Sequence, residues 1–321
     1  MAALSLAAVV VSIVWTIVWF YTLVMVSQST FMNNQVSDYE VTDDMFHQTH
    51  EAQSTSPLGV FVYILLLLSF YWTLQVISNV VHTSVAGTVG TWWFVPDDNM
   101  ASGRGCCSSA VTDSMGRAMT YSFGSICFGS LIVAILEVIR NIARSGARNR
   151  RGGILRCLCQ YLLLLIERLV QYFNRFAFCY VGIYGYDYIQ AAKNVMTLFQ
   201  HRGWTTIISD SLTSRMMGMV SFLIGIVTAL VCLVFSYAET RDWSVVGPEV
   251  WIALIAGWIM SGIVFRVILS SIDTILVLFA EAPQEFHANH PALARELQDA
   301  WTQTFPDIFS PAPAAIGSEV V

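Results

Sequence analysis

AQSTSPLGVFVYILLLLSFYWTLQVISNVVHTSVAGTVGTWWFVP (Ala52–Pro96) runs for 45 residues without an Asp, Glu, Lys or Arg. A hydrocarbon core about 30 Å thick is crossed by roughly 20 apolar helical residues. The stretch therefore predicts one long membrane crossing from about Leu58 to Phe94. Two more uncharged stretches, Met1–Ser37 and Met216–Ala238, repeat the signal. Hydrophobic residues make up 55% of the 321 residues and charged residues 12%, about half the charged share of a soluble domain. The fold class is all-α: a polytopic helical membrane protein with about six hydrophobic elements, some Gly-broken or re-entrant.

Outward from that stretch, the other elements follow. A first crossing is expected at about Leu4–Val26. It has no basic n-region and it carries Trp15, Trp19, Phe20 and Tyr21, so it reads as a retained helix and not as a signal peptide. Ser27–Ser56 is a polar, acidic loop. Thr120–Ile139 is a third element, with Ser125–Gly129 and Ser130–Ala134 as small-xxx-small pairs that permit close helix approach. Ile154–Phe173 is amphipathic, with Leu155, Leu158, Leu162, Ile166 and Leu169 at helical spacing. That pattern predicts a helix lying in the interface. Phe176–Phe199 is a fourth element broken at Gly182 and Gly185. Met216–Tyr237 and Val250–Phe279 are the last two crossings. The organisation is a transmembrane domain over residues 1–280 and a cytosolic, partly disordered tail over 281–321. In the tail, Pro291–Thr302 predicts a short helix with Pro in its first turn.

Sidedness stays open at this level. Arg140–Arg175 holds eight of the 16 basic residues, which the positive-inside rule places in the cytosol. Strict alternation of crossings places it opposite. Trp92, Trp93 and Phe94 read as an interfacial aromatic belt. The hydroxyls and glycines of Thr83–Thr91 suit a kink or a tight helix contact. Cys106, Cys107, Cys157 and Cys159 lack metal-site spacing and read as thiols near the interface, open to palmitoylation.

No cofactor, metal or catalytic cluster is expected, and no enzyme. None of the six His sits in an HExxH pattern, and no nucleophile elbow or phosphate loop occurs. No basic tract interleaved with aromatics points to nucleic acid. The expected partner is the lipid bilayer, and oligomeric state is open. Charges inside the bilayer carry the strongest local signal, because each costs a few kcal/mol unless paired or hydrated. These are Asp187, Arg266 and Asp273, the last two sharing a face seven residues apart.

GTVGTWWF (Gly87–Phe94), SFGSICFGSLIVAILEVIR (Ser122–Arg140), RFAFCYVGIYGYDYIQAAK (Arg175–Lys193) and SSIDTILVLFAE (Ser270–Glu281) together resemble the choline transporter-like family, in its fungal and protist branch. The resemblance covers nearly the whole chain. It implies a plasma-membrane carrier of choline or related organic cations. Members have about four helices before the part matched, so the alternative is a transport-inactive subunit, scaffold or fragment. A quaternary ammonium is held by aromatic faces. The substrate-binding candidates are Tyr71 and Trp72 with Gln75 and Asn79, then Trp15, Trp19 and Trp258.

Overall fold

The computed structural model describes residues 1–39, 57–95, 109–148, 154–202, 205–241 and 243–304. Among these, all regular elements are α-helices: α1 (Ala2–Tyr39), α2 (Pro57–Phe94), α3 (Ser109–Met119), α4 (Phe123–Arg148), α5 (Ile154–Tyr184), α6 (Tyr188–Arg202), α7 (Thr205–Thr240), α8 (Trp243–Glu281), α9 (Pro283–Asn289) and α10 (Pro291–Thr304). Segments of α1, α2, α4, α7 and α8 are long and apolar enough to span a bilayer.

α2 is the central helix. Its 38 residues reach about 57 Å at 1.5 Å per residue, more than one bilayer core. Cross-helix bonds fix the direction of its neighbours. Asn79 donates to Ser130 Oγ at 2.9 Å, Gln75 to Glu137 Oε1 at 3.1 Å, and Asn141 to Tyr71 Oη at 3.0 Å, so α4 runs antiparallel to α2. His82 meets the Arg175 carbonyl at 2.9 Å and Ser270 Oγ at 2.6 Å, while Trp93 Nε1 donates to the Ala282 carbonyl at 3.0 Å. α5 and α8 thus run parallel to α2, and all three end together.

Two ends of the bundle follow. α2 and α5 start at the near end, where α4 finishes. α2, α5 and α8 finish at the far end, where α9 and α10 lie. Arg140 and the tail therefore sit at opposite ends. α4, with a segment long and apolar enough to cross a bilayer, joins the two ends.

The expected interfacial helix at Ile154–Phe173 is corrected. It is the first part of a single 31-residue helix inside the bundle. Leu158, Leu162, Ile166 and Leu169 are exposed, whereas Glu167 is 3% exposed and bridged by Arg140 at 2.9 Å. Both kinds of helix are amphipathic. In lipid the apolar stripe faces out and the polar stripe seeks other helices.

The break expected in the fourth element falls at 185–187, where Gly185 takes φ +72° and α5 gives way to α6. α6 turns back along α5, with Phe199 packed on Tyr172, Phe173 and Phe176. Gly182 stays helical and serves close approach: a Cβ there would lie 2.5 Å from the Thr83 carbonyl and 2.9 Å from Ala86 Cβ. The hydroxyls of Ser84, Thr88 and Thr91 bond carbonyls one turn back. The glycine-rich stretch of α2 is therefore a helix contact. Gly129 likewise faces rings, Tyr188 and Phe178, and not a second small-residue helix.

Trp92 and Trp93 are not belt residues. Trp93 is fully buried and stacks on Phe286 at 4.2 Å, and Trp92 stacks on His290 at 4.5 Å. They form the socket in which α9 sits. The tail helix begins at Pro291 as its sequence predicts. Cys106, Cys107, the Pro96–Asp98 stop and the PAPAA stretch near Ile316 lie outside the described residues, as do the side chains of Cys157 and Cys159.

Candidate functional site

A cavity of about 820 Å³ opens between α1, α2, α5 and α8. Its apolar wall comes from residues such as Ala8, Val9, Ile77 and Ile263. Its polar groups are Gln75, Asn79 and His82 of α2, Asn174 and Arg175 of α5, and Arg266, Ser270 and Asp273 of α8. Polar side chains on helices this apolar have two refuges, another helix or water, and a cavity supplies both.

The far side of the cavity is closed by a polar seam. Arg175 Nε lies 3.1 Å from Asp273 Oδ2, and the Asp273 side chain is 1% exposed. The Arg175 guanidinium also sits over the Tyr172 and Phe176 rings at 5.5 and 5.6 Å. His82 bridges all three helices of the seam. A carbonyl only accepts, so in the neutral ring Nε2–H donates to Arg175 O and Nδ1 accepts from the Ser270 hydroxyl. Beyond the seam, Cys179, Thr274, Ala86 and Val277 are buried.

On the near side the cavity borders a second cluster. Gln75 and Gln171, both lining the cavity, donate to Glu137 Oε1 at 3.1 and 3.4 Å. Gln171 also donates to Glu167 Oε1 at 3.3 Å, and Glu167 pairs with Arg140. Among the described residues, no acidic group pairs with Arg266.

The sequence candidates separate into two groups. Gln75, Asn79, Trp258, Arg266 and Asp273 line the cavity; Tyr71, Trp72, Trp15, Trp19 and Asp187 do not. Trp72 shares a helical face with Gln75 and Asn79, but its ring swings to α4, where Nε1 donates to the Cys127 carbonyl at 3.0 Å. The Tyr71 hydroxyl is held by Asn141. Trp19 tilts on Phe70 at 4.5 Å and donates to the Leu66 carbonyl, fastening α1 to α2. Asp187 is exposed and caps α6, accepting from the Gln190 amide at 3.4 Å. Arg266 and Asp273 share a face as expected, but Asp273 pairs with Arg175 across helices.

His82, Asn174, Arg175 and Glu137 were missed. Glu137 and Arg175 were each visible as a charge in an apolar context, and Arg175 was counted in the Arg-rich segment Arg140–Arg175. Asn174 is 5% exposed, and its Oδ1 has no hydrogen-bond partner. It lines the cavity. Among the described residues no group of His, Cys, Asp and Glu has metal-site geometry.

Known proteins are similar to this chain in sequence. The profile of the plasma-membrane choline transporter family matches residues 1–284. The chain is 32% identical to Protein PNS1 of Debaryomyces hansenii over 241 residues, covering 71% of this chain and 45% of that protein. It is 33% identical to Protein PNS1 of Mycosarcoma maydis over 78% of this chain and 48% of that one. A CTL-like protein of Dictyostelium discoideum is 33% identical over 74% of the chain and 42% of its own length. The chain spans about half the length of these relatives.

Proposed function

The chain belongs to the plasma-membrane choline transporter family, and from that premise we propose that it moves choline or a related organic cation across the plasma membrane, with the α1–α2–α5–α8 cavity as its substrate chamber. The observation that carries this reading is the cavity itself, about 820 Å³ of polar-lined space amid apolar helices. A scaffold needs no such space. A choline-sized cation fits with room for water.

The reading assigns roles. A quaternary ammonium has no N–H to donate, so a ring face and the field must hold it. Trp258 supplies the ring: it is the aromatic candidate that lines the cavity, and it is steadied edge-on by Phe222 at 6.2 Å. Asn79, Asn174 and Ser270 offer partners for a substrate hydroxyl. The Arg175–Asp273 seam closes the chamber toward the far end, so passage requires α5 and α8 to part there. Such rocking around a fixed site is the usual form of alternating access.

Radiolabelled choline uptake into vesicles holding the purified chain tests this. Uptake above empty vesicles is expected. Trp258→Ala should weaken apparent affinity about 5- to 30-fold, the equivalent of the 1–2 kcal/mol of a desolvated cation–ring contact. No uptake by the parent chain, or a Trp258→Ala variant equal to it, contradicts the assignment.

A further inference from the structure

Three helices end together at the far end, and their closing residues make an unusual group. α2 ends at Phe94, α5 at Tyr184 and α8 at Glu281. The Tyr180 hydroxyl donates to Glu281 Oε1 at 2.7 Å. Tyr184 is ringed by aromatics: Tyr186 stacked at 5.4 Å, Tyr180 at 6.0 Å and Phe94 at 6.4 Å. Phe94, Tyr184 and Tyr186 are all more than a third exposed, and Glu281 is exposed.

Three parallel helices bring their C-terminal ends here, each with roughly half a negative charge, while α6 and α9 start beside them at Tyr188 and Pro283 with the opposite polarity. Glu281 adds a full carboxylate where the dipole disfavours one. Among the described residues no Lys or Arg forms an ion pair with it. A carboxylate bonded by Tyr180, whose ring adjoins the partly exposed Phe94–Tyr184–Tyr186 ring cluster, suits a cation that needs ring faces more than hydrogen-bond acceptors. An aromatic belt has no use for the carboxylate at its centre.

We infer that Phe94, Tyr180, Tyr184, Tyr186 and Glu281 form a second, outer binding site for a quaternary ammonium at the far end of the bundle. It rests on the proposed function, since it assigns the same class of cation. It lies eight residues along α8 from Asp273, about 12 Å at 1.5 Å per residue, on the other side of the seam from the cavity. A cation crossing the chain meets the cavity and this site in turn, one at each side of the Arg175–Asp273 closure.

The test is calorimetric binding of tetramethylammonium to the purified chain in nanodiscs, in a Trp258→Ala background that weakens the cavity. Binding is expected there. Glu281→Gln and Tyr186→Leu should each weaken it about fivefold or more, and Tyr184→Phe should stay within about twofold, since the ring survives. Tyr186→Leu leaves the Tyr180–Glu281 bond intact, so a folding defect in Glu281→Gln does not obscure the result. A background that binds no tetramethylammonium overturns the site. So do Glu281→Gln and Tyr186→Leu variants that bind as the background does. Choline uptake that persists beside such a result leaves the cavity reading standing. Glu281-dependent binding without uptake removes the transport reading and leaves this site.

Discussion

Asp273 shows how a single charge is made tolerable inside lipid. Its carboxylate is nearly inaccessible, and Arg175 approaches it from a neighbouring helix. Removing one member leaves the other charge without compensation, which in buried pairs costs several kcal/mol. The Arg175 side chain is 30% exposed and rests on two rings, so the loss is smaller here. Asp273→Ala should destabilise the chain by about 2–3 kcal/mol, read as a lower melting temperature in detergent. An unchanged melting temperature would show that the pair contributes nothing to the fold. At this scale the polar candidates other than Asp187 gather at the cavity, and of the ring candidates Trp258 does. Gln75, Asn79, Arg266 and Asp273 line the cavity because a polar group on an apolar helix is driven inward. Tyr71, Trp15, Trp19 and Trp72 carry no such constraint. An indole pairs as well with a neighbouring helix carbonyl as with a ligand, and Trp19 and Trp72 do so.

Helices were legible by length and apolar content, and less so by which face is inside. α2 was placed almost to the residue. α5 was misread because amphipathicity alone does not tell an interfacial helix from one whose polar stripe is buried in a bundle. The deciding fact is tertiary: Glu167 has Arg140 across the α4–α5 interface. Contact between α2 and α5 depends on Gly182, which brings its backbone against the Thr83 carbonyl. Backbone there cannot yield as a side-chain tip does. Gly182→Val should separate the helices and cost on the order of 1–3 kcal/mol, as overpacking does, with a loss of folded yield measured by size-exclusion chromatography. Gly262→Ala, at a position with no atom within 4 Å, is the matched control and should behave as the parent. Equal yield from both variants would mean that α2 and α5 are not in close contact.

At the scale of the whole molecule, the bundle is closed at one end and hollow within. The far end is sealed by the seam, by the Gly87–Gly182 contact and by α9 seated on Trp92 and Trp93. The cavity lies on the near side of that seal, between α1 and the rest. None of this was readable from hydropathy, which counts crossings and does not say which of them leave space between them. We propose that this space holds the substrate. Gly262 lines it and has room for a side chain, so Gly262→Cys places a thiol in the chamber without crowding. The measurement is the rate at which a trimethylammonium-bearing thiosulfonate modifies that thiol in vesicles, against the parent chain as control, with and without saturating choline. Modification is expected to block choline uptake and to be slowed severalfold by choline. Modification at the same rate with choline present, with uptake continuing, would contradict it.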